Sequence, residues 1–248
     1  MNSPTKEKEK LEKYLKIISE NLYYAIESVS TLKSIASNGK EIESLNYGNF
    51  FFPLQRVLTN DVILSLSKIF ENNKQSINLN KVQNYLCCNQ RLLPLEQNLL
   101  SKLDRYKTFD FSNLKHTLET QSHTIRLDNA YKGDVIEKQI NTYSLKSFLQ
   151  CLDENIEKFQ KEYKHDLLAL KDFRDMNIAH SDKIPIERKT TWGRIDRLIE
   201  FVREYIDMIS FAFLSLAHSG DNTEPFSLTS SDAKRASRVF ERLIKNIK

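Results

Sequence analysis

The 248-residue chain contains only five glycines and five prolines. So few breakers argue against a fold of many short strands and tight turns, and favour long helices. Cysteine is scarcer still. Cys87 and Cys88 are adjacent and Cys151 is distant. Neighbouring cysteines rarely close a good disulfide, and no C-x-x-C spacing suggests zinc. All three are expected to be buried apolar thiols in a reducing compartment. No apolar run approaches the ~18 residues needed to span a bilayer. Residues 1–10 are polar and charged, with no apolar signal region behind them, so a cytoplasmic protein without a membrane anchor is expected. Charge is not strongly one-sided either. A formal net charge of +4 is compatible with a polyanion partner without demanding one.

What remains, 40% hydrophobic and 28% charged, is an ordinary globular composition, read as a single domain over residues 1–248. Leu11, Leu15, Ile18, Leu22, Ala25, Val29, Leu32 and Ala36 recur at alternating steps of four and three. They predict a first helix with a narrow apolar seam, begun at Ser3-Pro4 and stopped near Asn38-Gly39. A second helix is predicted over about 50–70, apolar almost all round and therefore central. Asp61 inside it needs a partner.

Short helices are predicted at 80–87 and 94–103, and another at 112–131. Gly133 marks a loop. The stretch near 104–143 is the expected place for an inserted or mobile segment. From Ser144 the apolar spacing predicts a helix that runs up to the Arg174 motif and is stopped by Ser181, Asp182 and Pro185. Another helix is predicted from Thr190 or Thr191 to about Ala217. A last helix follows Ser230-Ser231-Asp232. Ala236, Val239, Phe240, Leu243, Ile244 and Ile247 line one of its faces. Arg235, Arg238, Arg242 and Lys245 form a separate basic stripe, which is either a solvated face or a surface tracking a nucleic-acid backbone. The whole is read as all-α, an antiparallel helical bundle.

The stretch Asp172-Phe173-Arg174-Asp175-Met176-Asn177-Ile178-Ala179-His180-Ser181-Asp182 carries the chemistry. Arg174 is a permanent cation suited to phosphate, and His180 titrates near neutrality. On a helix the two side chains diverge by roughly 120°. Arg174, Asn177 and His180 nevertheless make one slanted ridge of neighbours. Two copies of that ridge across a two-fold axis would surround one groove, so a homodimer is expected. Attack of a ribose 2′-hydroxyl on the adjacent phosphate needs an acid, a base and positive charge. His180 would serve as acid or base and Arg174 would hold the phosphate. Asn177 would donate a hydrogen bond to it, and Asp175 or Asp182 would orient the imidazole or the guanidinium.

A second Ala-His-Ser step, at Ala217-His218-Ser219, has Phe211, Ala212 and Phe213 upstream instead of an arginine. The histidine step alone is therefore a helix-end feature, and Arg174 is the discriminating residue. His116, His123 and His165 have no metal-ligand spacing. No metal or cofactor is expected.

The segment Leu170 to Asp182 resembles the signature of the HEPN superfamily, an arginine followed by four to six residues and a histidine. Its Ile-Ala-His-Ser-Asp ending looks most like the abortive-infection AbiU-like branch. Residues 60–70, with Asp61, an apolar run and Ser67-Lys68, followed by Asn78-Leu79-Asn80, are similar to that branch too. Residues 109–143 have no clear counterpart in it. The resemblance implies an HEPN-like helical bundle, here with an additional C-terminal helix, and usually a homodimer with the motif at its interface. It implies a metal-independent endoribonuclease acting as a toxin or phage-defence effector, with Arg174 and His180 catalytic. An antitoxin or regulatory partner goes with that role. Some members of the superfamily have lost catalysis and bind RNA, nucleotides or proteins, which is the alternative reading.

Overall fold

The computed structural model describes residues 4–72, 75–90, 93, 99–112, 114, 124–128, 135–139, 144–175, 189–214 and 234–246. The architecture is all-α. In chain order, α1 is Pro4–Ser37, α2 Gly39–Ser44, α3 Gly48–Phe70 and α4 Leu79–Cys88. A 3₁₀ turn, Leu100–Arg105, follows. Then come α5 Ser144–Glu162, α6 Lys164–Phe173, α7 Trp192–Leu214 and α8 Arg235–Asn246. Helix α1 is the axis, packing on α3, α4, α7 and α8, while α3 also packs on α6.

The predicted seam of α1 is buried from Leu11 to Leu32. At its end the contact shifts. Ile35 is buried in place of the exposed Ala36, because it joins Ile42 of α2 and Phe51 of α3 in a second small core. The carboxylate of Asp61, on α3, accepts a hydrogen bond from Ser28 Oγ of α1 at 2.6 Å. Such a bond offsets the cost of holding a charge between two packed helices.

Three expectations are corrected. First, α3 is central only in its second half. Val62, Ile63, Leu66, Ile69 and Phe70 are buried, whereas Phe50 is 66% and Phe52 71% exposed. The first half lies at the end of the bundle and is covered on one side only, through Phe51, Leu54 and Leu58. Second, the helix predicted from Ser144 breaks at Tyr163 into α5 and α6. No glycine or proline marks the place. Tyr163 is buried there, stacked 4.4 Å from Phe159 with Arg194 over its other side at 4.9 Å. Tertiary packing therefore sets the break.

Third, the helix predicted at 112–131 gives way to an antiparallel ribbon pairing Thr124–Asp128 with Val135–Gln139. Thr-Ile-Arg-Leu-Asp alternates polar and apolar with period two, which suits a strand. Within the described part of the helix predicted at 94–103 there is only the 3₁₀ turn. The apolar face of α8 is largely open. Ala236, Val239 and Leu243 are exposed. The helix sits on α1 through polar contacts instead, Ser237 Oγ with Ser30 Oγ at 2.9 Å and Ser34 Oγ donating to Glu241 at 2.9 Å, with Phe240 against Phe51. Ile247 lies outside the described residues.

Between α5 and α7 the core is aromatic. Phe159 lies 3.8 Å from Phe201, which stacks on Phe109 at 4.6 Å. The strand-like stretch around Phe109 is fixed by side chains of both helices. Glu204 accepts from the amides of Lys107 and Thr108 at 2.9 and 2.7 Å, and Asn155 accepts from that of Asp110 at 2.7 Å. Of the cysteines, Cys151 is buried as expected but Cys87 and Cys88 are exposed, since both fall at the open end of α4. All three are free.

Candidate functional site

Helix α3 ends where its apolar run gives out, and Glu71 follows in extended conformation. Helix α6 packs beside α3 and ends at Phe173. Beyond it, Arg174 and Asp175 continue in a wider, π-type turn, a local distortion often found at functional positions. The two helix ends meet through Arg174. Its Nη1 donates to Glu71 Oε2, and its Nε and Nη2 donate to Asp175 Oδ1 at 2.9 and 2.6 Å. Burial lowers the pKa of the guanidinium, but the bonds to Glu71 and Asp175 more than reverse this and leave it raised. The charge is therefore permanent.

A guanidinium has five N–H donors, and these bonds use three of them. Two remain for a ligand among the described residues. The side chain is 26% exposed, so a ligand can reach them. Glu71 adds a second unusual feature. Its Oε1 is buried with no hydrogen-bond partner among the described residues, a costly state for a carboxylate oxygen unless something else supplies a donor. The sequence shows Glu71 only as a carboxylate directly after the apolar run of residues 60–70, and nothing in it pairs that carboxylate with Arg174.

Asn177, His180 and Asp182 lie outside the described residues, as do His218, His116 and His123. Thr190, which follows the undescribed residues 176–188, is anchored on α6. Asp166 of α6 is buried and accepts from Thr190 Oγ1 at 2.7 Å, with Arg194 Nε at 3.8 Å. Between Phe173 and Lys189, both of which line it, opens a cavity of about 570 Å³ walled by α3, α6 and α7.

The basic stripe of α8 lies elsewhere. Arg235, Arg238 and Arg242 are exposed, and the side chain of Lys245 is outside the description. Phe240 on the same helix meets Phe51 near the start of α3. That is roughly 30 Å along α3 from Glu71, at about 1.5 Å per residue. The structure thus joins Arg174 with Asp175 and Glu71, and keeps the α8 arginines apart from them.

His165 is exposed on α6. Among the described residues no group of three or more His, Cys, Asp or Glu is placed to hold a metal ion, and no helix is long and apolar enough to cross a membrane. Residues 8–235 match a family model of the HEPN class described as AbiU2. No curated protein and no solved structure matches the chain.

Proposed function

Because the chain belongs to the AbiU2 family of HEPN proteins, we propose that it is a metal-independent endoribonuclease of the HEPN type, a cytoplasmic phage-defence or toxin effector whose site is completed in a homodimer. The observation that supports this most directly is the Arg174 guanidinium, permanently charged, partly exposed and with two donors not used by the described residues.

The reaction forms a bond from ribose O2′ to phosphorus and breaks the bond from phosphorus to O5′. It leaves a 2′,3′-cyclic phosphate and a 5′-hydroxyl. His180 takes the 2′ proton or delivers the proton to O5′, and the second proton transfer falls to the partner's copy of the same residue. Arg174 binds the phosphate and meets the charge that builds on it. Asp175 holds the guanidinium in place. Asn177 and Asp182 are assigned to phosphate binding and imidazole orientation. Glu71 Oε1, buried and unpartnered among the described residues, is suited to accept from the imidazole or from the attacking hydroxyl.

Two carboxylates face one guanidinium, so the described part of a single protomer's site is net negative. A phosphate needs further positive charge there. A charged His180 and the partner's motif would provide it, which favours the composite site. Incubation of the purified protein with tRNA or mRNA in excess EDTA tests the reading. Cleavage is expected, and loss of it in Arg174→Ala and His180→Ala. A His180→Ala protein that cuts like wild type removes the assignment. An antitoxin or regulatory partner, if one holds the enzyme silent, would be recovered as a complex that does not cut.

One observation favours a second reading, a non-catalytic dimer that binds RNA, a nucleotide or a partner protein. Arg235 and Arg242 are exposed on a helix remote from Arg174. That reading expects RNA binding that weakens with salt and with Arg235→Ala and Arg242→Ala, while His180→Ala leaves it intact.

A further inference from the structure

We propose that the cavity beside Arg174 is a nucleobase subsite, in which Trp192 stacks on one unpaired base of a bound nucleotide. The inference rests on the ribonuclease reading for the phosphate at Arg174, but its own observations come from the cavity.

Val62, Ile63, Ala169, Leu170 and Ile195 form apolar walls and are themselves buried, so the floor is a fixed part of the core. The volume, about 570 Å³, lies in the range of roughly 300–1,000 Å³ typical of small-molecule sites. Trp192 lines it and is 44% exposed, which leaves an aromatic face open to a ligand. Thr190, on the rim, is anchored by the buried Asp166. Lys189 at the mouth is exposed and adds a cation.

Position decides the occupant. Phe173 is a wall residue, and Arg174 follows it directly in the chain. In a nucleotide, base and phosphate are joined through one sugar. Arg174 does not itself line the cavity, but consecutive Cα atoms are about 3.8 Å apart, so a phosphate held by Arg174 stands within about one nucleotide's reach of the Phe173 wall. Phe173 and Lys189, which stand on either side of the undescribed residues 176–188 in the chain, both line the cavity. The walls are apolar and the polar groups few, so stacking rather than hydrogen bonding would hold the base. Stacking is tolerant of sequence, and purines, with the larger face, should be favoured over pyrimidines.

Trp192 is the chain's one tryptophan, so its emission reports on this site alone. The experiment titrates the full chain, in EDTA, with a 2′-O-methyl oligonucleotide that cannot be cleaved, and separately with AMP, UMP and ribose 5-phosphate. Saturable quenching by the oligonucleotide at lower concentration than by AMP is expected and assigns the base to an RNA strand. The reverse order assigns the subsite to a free nucleotide. No quenching by either, or quenching by ribose 5-phosphate equal to that by AMP, overturns the proposal.

Anisotropy of a labelled oligonucleotide gives a second readout. Trp192→Leu, apolar but without a π face, should bind roughly 5- to 150-fold more weakly, while Trp192→Phe keeps most of the affinity. Equal binding by the two variants also overturns it. Quenching that persists when Arg174→Ala and His180→Ala leave cleavage untouched retains the subsite and removes the ribonuclease assignment. Cleavage that depends on both residues, without any quenching, does the opposite.

Discussion

Arg174 donates from Nη1 to Glu71 Oε2 across 103 positions of sequence. The contact joins the ends of α3 and α6, and it leaves the other oxygen of Glu71 buried and without a partner. A buried carboxylate oxygen needs a donor, and among the described residues none reaches it.

Glu71→Gln separates positioning from simple clamping. The substitution keeps the shape and one acceptor, and removes a negative charge beside the phosphate site. Cleavage should fall by about tenfold or more, within the range of acid–base and positioning effects. Binding of an uncleavable 2′-O-methyl oligonucleotide should hold or tighten. The pair is about a quarter exposed, so the cost in stability should stay below about 1 kcal/mol. Parallel loss of binding and cleavage, or a large fall in melting temperature, would mark Glu71 as a structural tie alone.

The composite site makes a different demand. Arg174→Ala and His180→Ala proteins, each inactive, are unfolded together and refolded so that protomers exchange. In the mixed dimer one intact Arg174 and one intact His180 come from different chains. Cleavage should reappear in the mixture, slower than wild type because one His180 is left to transfer protons and water must take the other transfer, and be absent from either protein treated alone. Failure to regain activity, with mixed dimers shown by mass spectrometry, would place both residues of each site in one chain.

Much of this arrangement was legible in the residues. The alternating steps from Leu11 to Leu32 gave α1 and its buried face directly, because a single helix with one packed stripe imposes that spacing. Tyr163 could not be read in the same way. The apolar period runs through it undisturbed, and the break comes from its packing between Phe159 and Arg194, which are brought together only in the fold. The same limit applies to Phe50 and Phe52. Their apolarity suggested a core, but only the end position of that half of α3 leaves them exposed. In the site, Arg174 was found by its spacing from His180, whereas Glu71 became visible only when α3 and α6 were packed side by side.

The cysteines should divide by accessibility. Cys87 and Cys88 are exposed, whereas Cys151 is buried and touches Asn155 and the carbonyl of Asp110. Burial, with nearby Glu154 and Asp110, pushes the Cys151 thiol up to about 11. A raised pKa means less thiolate, and thiolate is the reactive form. At pH 8 only about one Cys151 in a thousand would be ionised, by the tenfold change per pH unit. Burial also raises the pKa of Cys87, without closing its path to solvent. Mass spectrometry after brief alkylation at pH 8 should show labels on 87 and 88 and none on 151. Raising the pH toward 11 should speed labelling of Cys151 while the fold holds. Prompt labelling of Cys151 at pH 8 would contradict its burial.

The anchor between Asp166 and Thr190 offers a test of how Thr190 is held on α6. Asp166 is buried, and Thr190 Oγ1 donates to it at 2.7 Å. Thr190→Val keeps the volume and removes the donor. Asp166→Asn removes the charge that also faces Arg194 at 3.8 Å. A hydrogen bond to a charged group contributes about 1.5–3 kcal/mol, so the threonine change should lower the melting temperature by roughly 3–12 °C in a chain of this size. Because both changes strike one bond, the double variant should lose less than the two single losses combined, with a coupling of about 0.5–3 kcal/mol. If the bond also sets where Thr190 lines the cavity, Thr190→Val should slow cleavage at temperatures where the protein is fully folded. Additive losses would show that the two residues act separately, and unchanged cleavage would confine the bond to stability.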